Sequence, residues 1–452
     1  MSELARRMRW WVVPVVVAMA AAGCSRSSSK SSSTSTSSGS SSAASGDFGT
    51  LKDVCGPGNA KGSTDQGVTD TSIRVGTMSD PGATAQPGLN QELFDAADEF
   101  VGWCNAAGGI LGRKLQLDKW DARLTEVSAR MIQACGVDFT LVGNGEGLDG
   151  TGVDQRTKCK LPEFPAFDVS AAAISAPMTV PAIPNPRDVS LASGAFRMLK
   201  EYDAAATQHF GLLSSQFQSI NDQGKKDRAA AESFGYKTVY YDELPLVVDN
   251  WRPYAQNLQN KNVQVFLMES APGQVAPAYK GMQDLGYVPK YSILQPNLYD
   301  PSFPSDAGTA IDSSQVYVTA YINPFELADQ HPATKLYIDN LNKYVNGAKP
   351  KELGVNATSS WLLWAQSVKA CGSHLTRQCV LDQANKVTSW TGGGLSAPFH
   401  PGNGPDAGGD CFVLLHATSK GFSVDKKITK PNTGIFNCDP ANAPRLPGFP
   451  RT

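Results

Sequence analysis

The chain has no surplus of either charge, few histidines and no apolar run long enough to cross a bilayer. Its 452 residues carry 40 Lys and Arg against 42 Asp and Glu. These are spread along the chain, so no basic stripe offers itself to nucleic acid, which is excluded as a partner. The five histidines, His209, His331, His374, His400 and His416, include no H-E-x-x-H pair, and no serine-hydrolase elbow is present. They read as surface or structural residues. The apolar segment Trp10 to Ala22 follows Arg6, Arg7 and Arg9 and is interrupted by Pro14. It falls well short of the roughly 20 residues needed to span a membrane, and 1–23 reads as a signal peptide.

The end of that segment points to a membrane anchor. Ala21-Ala22-Gly23-Cys24 resembles a bacterial lipobox, with Ala21 where the motif prefers leucine. The reading is a lipidated Cys24 at the mature N-terminus, on the outer face of the cell membrane; the alternative is ordinary signal cleavage nearby. Residues 24–46 are Ser/Thr-rich with no hydrophobic residue except alanine after the cysteine, and are expected to act as a flexible tether. Nine cysteines minus Cys24 leave eight, an even number in an oxidising compartment, so four disulfides are expected. Spacing suggests Cys371 with Cys379 and Cys411 with Cys438. A metal site at Cys371, His374 and Cys379 is the alternative, but it lacks a fourth ligand.

Beyond the tether, strands and helices alternate. Ser72 to Met78 has β-branched residues at alternating positions, and Asn90 to Asn105 has apolar residues at helical spacing, stopped by Gly108-Gly109. Further strands are predicted at Lys114 to Asp118, Val137 to Val142 and Ala166 to Val169, with helices at Glu126 to Cys135 and Gly150 to Cys159. A second run of strands covers Gly211 to Ser214, Lys237 to Tyr241, Val263 to Met268, Tyr291 to Leu294 and Val316 to Tyr321. Helices between them are predicted at Asp222 to Phe234, Trp251 to Asn260 and Pro277 to Leu285. An apolar helix, Trp361 to Ala370, and a Gly/Pro-rich tail with one strand, Cys411 to His416, complete the pattern. This alternation implies two α/β lobes with doubly wound parallel sheets, linked by the proline-rich Pro177 to Pro186.

Gly145-Glu146-Gly147-Leu148-Asp149-Gly150 matches G-x-G-x-x-G, with Asp168 about twenty residues on. It follows the third strand and not the first, and an exported protein has no steady supply of nicotinamide, so no cofactor is expected. The reading that survives is a loop whose backbone N–H groups dock a polar or anionic ligand. Trp103, Trp361 and Trp364 read as core. Phe217, Tyr299, Tyr321 and Phe325 fall at or just past strand ends, where open α/β sheets place ligands.

The order of elements, together with Gly67-Val68-Thr69-Asp70-Thr71-Ser72-Ile73-Arg74-Val75-Gly76 and Asn105-Ala106-Ala107-Gly108-Gly109-Ile110-Leu111-Gly112-Arg113, resembles the substrate-binding lipoproteins of branched-chain amino acid ABC transporters, the type I periplasmic-binding-protein family. The resemblance runs from about Gly67 to Asp439. It implies two lobes joined by hinge strands, with 67–186 and 324–395 as lobe 1 and 187–323 and 396–452 as lobe 2. It also places Cys135 near Cys159 and leaves Cys55 to clamp an N-terminal segment, 47–66, onto Cys104. The implied function is capture of a small solute between the lobes and delivery to a membrane permease, by a monomer that catalyses no reaction. A sensory receptor of the same fold is the alternative, and a hydrolase using Glu146 or Asp168 as base is a third.

The family holds its ligand with loops that correspond here to Gly143 to Asp149 and Ser170 to Ala172 in lobe 1. In lobe 2 the matching segments are Gln216-Phe217-Gln218, Glu269-Ser270-Ala271 and Gln295-Pro296-Asn297. The expected contacts are Ser79, Asn144, Glu146, Gly147, Ser170, Ala172, Phe217, Ser270, Asn297 and Tyr299. Phe217 stands where the family has a tyrosine, and the uncharged Asn297 where it has an acid. The resemblance therefore implies the scaffold without the clamp for a free amino acid, with Glu146 the remaining carboxylate that could take an ammonium.

Overall fold

The computed structural model describes residues 45–184, 187–404 and 406–449. Cys24, the signal peptide, most of the tether and Pro186 lie outside them.

Lobe 1 is built from β1 (Ser72–Ser79), α1 (Gln91–Ala107), β2 (Lys114–Asp121), α2 (Val127–Val137), β3 (Thr140–Val142), α3 (Val153–Lys158), β4 (Glu163–Phe164) and the short α4 (Ala171–Ile174). Its sheet is all parallel in the order β2-β1-β3-β4. Alternating Ile73 and Val75 are fully buried, as the period-two pattern predicted.

Lobe 2 contains α5 (Ser193–Tyr202), β5 (Phe210–Ser215), α6 (Gln218–Ser233), β6 (Thr238–Leu244), α7 (Arg252–Asn260), β7 (Val265–Met268), α8 (Pro272–Asp284), β8 (Tyr291–Leu294), α9 (Ser302–Ala307) and β9 (Gln315–Ala320). The chain then returns to lobe 1 for α10 (Pro332–Tyr344), α11 (Glu352–Cys371) and α12 (Arg377–Ala384). Both α10 and α11 pack on α1, and α11 buries Trp361 and Trp364 completely. A third crossing leads to β10 (Cys411–Thr418) and β11 (Gly421–Asp425) in lobe 2. Strands β6, β5, β7, β8 and β9 run parallel, and β10 and β11 close the other edge antiparallel. Two crossings lie side by side, Ala397 N donating to Tyr321 O and Asn323 N to Leu395 O.

Several expectations need correcting. The predicted strand Ala166 to Val169 is irregular, and the edge strand is Glu163–Phe164. The reason is where the backbone bonds go: Ala166 N donates to Asn144 O, and Val169 N to the Asp149 carboxylate at 2.7 Å, so no ladder forms. Strand β11 and helices α5 and α10 were not predicted, and α8 starts at Pro272, with Pro at its first position, where no donor is lost.

The disulfides are Cys55–Cys104, Cys135–Cys159, Cys371–Cys379 and Cys411–Cys438. The pair at Cys371 replaces the metal alternative, and no cluster of three metal-binding side chains occurs among the described residues. Cys55 fastens the N-terminal segment to α1, where Phe48 packs edge-on against Trp103 at 5.6 Å.

Candidate functional site

A cleft of about 1070 Å³, open mouth included, lies between the lobes. Lobe 1 lines it with Gln86, Leu89 and Asn90 after β1, with Leu124 and Gly147, and with Phe167, Asp168 and Val169. Lobe 2 contributes Ile220 and Gln223 from α6, Leu246, Glu269-Ser270-Ala271 after β7 and Gln295-Pro296-Asn297 after β8. Ile183, Leu191, Tyr321, Leu353 and Asn356 line it near the crossings. These are the carboxyl ends of parallel strands, where an α/β sheet leaves backbone groups and short loops facing open space.

In lobe 1, buried carboxyls position the walls. Asp80 accepts from Leu124 N at 2.7 Å and Gly147 N at 2.8 Å, fixing two lining residues with one side chain. Asp149 accepts from Gly150 N, Val169 N and Ser170 N, and Ser170 Oγ accepts from Ala173 N to cap α4. Burial pushes the Asp149 carboxyl up to about 6 against those hydrogen bonds. The segment is thereby held so that Phe167 lies over Gly145, where an added Cβ would sit 2.4 Å from the ring. Only glycine allows that approach.

Beneath this wall, Asn144 Nδ2 donates to Glu163 at 2.7 Å, and Glu163 pairs with fully buried Arg156 at 3.1 Å. Glu146 lies in the same cluster, its carboxyl raised well above the ordinary range by burial and then by neighbouring Glu163, Asp80, Asp149 and Asp168. Asp168 is raised by burial and then by Glu163 and Asp149, with Arg156 opposing.

In lobe 2, Gln295 Nε2 donates to Asp227 and, at 3.0 Å, to Glu269. Burial and then Asp227 push the Glu269 carboxyl well up, while Gln295 and Lys226 pull the other way. Asn297 Nδ2 donates to Ser270 O at 3.0 Å, tying two lining loops together.

Among the contacts that bridge the lobes, two lie beside the cleft. Ser219 Oγ donates to Gly147 O at 2.9 Å, and Lys351 reaches both Glu92 of α1 at 3.3 Å and Asp300 of lobe 2 at 2.9 Å. Beside the second bridge is a further chamber that shares Gln86, Leu89, Asn90, Ala271, Asn297 and Leu353 with the cleft.

The structure brings Gly147, Ser270 and Asn297 of the expected contacts to the cleft. The others lie elsewhere. Ser79 is buried and donates to Asn90 O; Asn144 and Glu146 are buried in the acidic cluster; Ser170 caps α4, and Ala172 is exposed within it. Phe217 precedes α6, half-buried and outside the lining. Tyr299 is buried against Phe325, ring centroids 4.7 Å apart, and its hydroxyl donates to Glu326 and accepts from Phe325 N. Tyr321 does line the cleft. The N–H groups of Gly145, Gly147, Gly150 and Thr151 in the loop read as anion-docking all have internal acceptors, two of them carboxylates, and so are not turned to a ligand. Lining residues that sequence reasoning missed include Phe167, Leu246 and the Gln86 to Asn90 loop; Phe167 falls in irregular backbone where a strand is predicted, and Gln86, Leu89 and Leu246 stand outside any predicted element.

Residues 72–413 match the family model described as periplasmic binding protein. No curated protein matches the chain. Among solved structures, it is similar to a fatty acid ABC transporter substrate-binding protein from Thermomonospora curvata, at 13% identity and a TM-score of 0.70, covering 87% of this chain and 99% of that one. A leucine binding protein from Thermotoga maritima MSB8 gives 11% identity and a TM-score of 0.65, covering 78% and 97%. A solute binding protein of an ABC transporter from Rhodopseudomonas palustris BisB5, in complex with 3,4-dihydroxybenzoic acid, gives 14% identity and a TM-score of 0.61, covering 76% and 92%. At these identities the likeness is one of fold.

Proposed function

Because this chain belongs to the periplasmic binding protein family, we propose that it captures a small, largely apolar solute between its lobes outside the cytoplasm and presents the closed form to an ABC-type permease. The observation that carries this is the cleft itself, walled by strand-end loops of both lobes and crossed by paired hinge segments. A solute touching both walls favours closure by its differential affinity for the closed state, and no covalent step is required. The proposal includes a lipid on Cys24 and the Ser-rich tether, which would keep the receptor near its permease.

The scaffold is not tied to amino acids, since solved proteins of this fold are named for leucine and for fatty acid and one holds an aromatic acid. Leucine, isoleucine and valine are poor candidates here. No Lys, Arg or His occurs among the described lining residues, so an amino acid's carboxylate would be buried near Asp168 and Glu269 with amide and hydroxyl donors but no opposite charge. That costs several kcal/mol. The test is a thermal-shift panel on the full-length protein in detergent. A solute at about 100 times its dissociation constant should stabilise by about 2.7 kcal/mol. Stabilisation by apolar solutes and none by the three amino acids is expected; no stabilisation by any solute would refute solute capture.

A further inference from the structure

The N–H groups of the G-x-G-x-x-G loop after β3 are taken by internal acceptors, so its glycines have some other reason. Backbone conformation does not supply it. Gly143, just before the motif, has a φ of 67°, but none of Gly145, Gly147 and Gly150 lies in the left-handed region. Their neighbours do supply it. A Cβ added to Gly145 would sit 2.4, 2.6 and 2.8 Å from three atoms of the Phe167 ring, and one added to Gly147 would sit 2.7 Å from Leu124 Cδ1. Apolar atoms rest about 3.5 to 4 Å apart, so neither methyl group fits beside its neighbour as placed. Phe167 and Leu124 both line the cleft. Gly150 differs, because its Cβ would meet Ser170 Oγ at 3.0 Å, at the cap of α4 and outside the cleft lining.

The backbone around these contacts is pinned. Gly145 N donates to Met78 O at 3.1 Å, and Ala166 N, next to Phe167, donates to Asn144 O at 2.7 Å. Asp80 accepts from both Leu124 N and Gly147 N, which holds Leu124 beside Gly147. A methyl group at either glycine is therefore accommodated by movement of the neighbouring side chain. Phe167 is half-buried and packs against the apolar cluster of Leu93, Ala96, Ala166 and Ala357, so its open direction is the cleft. We propose that Gly145 and Gly147 determine specificity by size: lacking side chains, they let Phe167 and Leu124 lie back against the loop and leave lobe 1 an apolar recess for a solute with a bulky, uncharged, cyclic or branched body. This rests on the solute-capture reading above and deepens it. Gly145 acts through Phe167 and Gly147 through Leu124, so the glycine spacing gauges the width of the cleft.

The probes are 4-ethylphenol and 4-(1-adamantyl)phenol, which share one neutral polar group and differ in breadth. Calorimetry on the full-length protein in detergent reads their affinities, and partition into micelles is common to all variants, so it cancels between proteins. The parent should bind the adamantyl compound more tightly. Gly145→Ala should lower the ratio of broad to narrow affinity at least about tenfold, equivalent to about 1.4 kcal/mol, and Gly147→Ala should act in the same direction. Adding Phe167→Ala to Gly145→Ala should return the ratio to the parent's value or above it. A protein that is merely destabilised loses affinity for both probes alike, so an unchanged ratio overturns the inference. A parent that prefers the ethyl compound, or a double variant that stays at the single variant's ratio, also overturns it. A crystal structure of Gly145→Ala reads the wall directly: the Phe167 ring should stand further into the cleft, and a ring that stays in place or moves away from the cleft overturns the inference whichever solutes bind. If the parent binds neither phenol but does bind a member of the thermal-shift panel, solute capture stands and that crystal structure decides the inference. If the parent binds nothing, both fall.

Discussion

Glu99 should make the protein less stable as pH rises through neutrality, and replacing it should remove that loss. It lies on α1 with no exposed surface. Burial lifts its carboxyl from 4.5 to about 8, opposed by Asn340 of α10 and Thr358 of α11. The folded protein thus holds the proton, while the unfolded chain releases it near the ordinary value. Below about pH 4.5 both states are protonated and Glu99 contributes no pH dependence. Between that value and about 8, unfolding releases a proton and stability falls by about 1.4 kcal/mol per pH unit, reaching about 5 kcal/mol in all. Above the folded value the loss is complete. Glu99→Gln keeps the shape without the ionisation, so all other groups cancel in the comparison. Urea unfolding of both proteins should show the variant gaining about 4 kcal/mol on the parent between about pH 5 and pH 8. A gap that stays constant over this range would refute the reasoning.

Other outcomes can be checked independently. Losing Cys55–Cys104, with a sequence separation of 49, should cost about 4 kcal/mol, against about 2.5 for Cys371–Cys379, with a separation of 8, if loop closure in the unfolded chain dominates. Paired alanine variants measured by thermal unfolding test this ranking, and a reversed order would contradict it. If Cys24 is lipidated, Cys24→Ala should move the protein from the membrane fraction to the soluble exported fraction with its melting temperature unchanged; retention in the membrane would reject the anchor.

Periodicity carried the sheets and most helices. The alternation around Ile73 and Val75 and the apolar spacing of α1 each reflect one buried face, so they could be read directly from residue types. Strand β11, Gly421–Asp425, is half-buried along most of its length and was therefore hidden by a composition that also suits a loop. The cleft was less legible for a different reason. Polar residues at loop tips can face either the solute or the protein, and Ser79, Asn144 and Glu146 are all turned inward by hydrogen bonds to Asn90, Glu163 and each other. Asp149, which holds the Val169-Ser170 segment at the cleft wall by accepting from both backbone N–H groups, looked like part of a glycine-rich motif. Tyr299 was a reasonable ligand contact until Phe325 and Glu326 claimed both its ring and its hydroxyl. Such side-chain direction is settled by long-range partners, which a local pattern does not contain.

Closure of the two lobes on a bound solute is the central claim, and the distance between them tests it most directly. Spin labels introduced through non-canonical amino acids at Ile132 of α2 and Gln283 of α8, both exposed, report on one lobe each and leave the disulfides intact. Pulsed dipolar spectroscopy with a saturating solute from the thermal-shift panel should shift the distribution to one shorter, narrower population. An unchanged distribution, with the solute shown by calorimetry to be bound, would contradict the account.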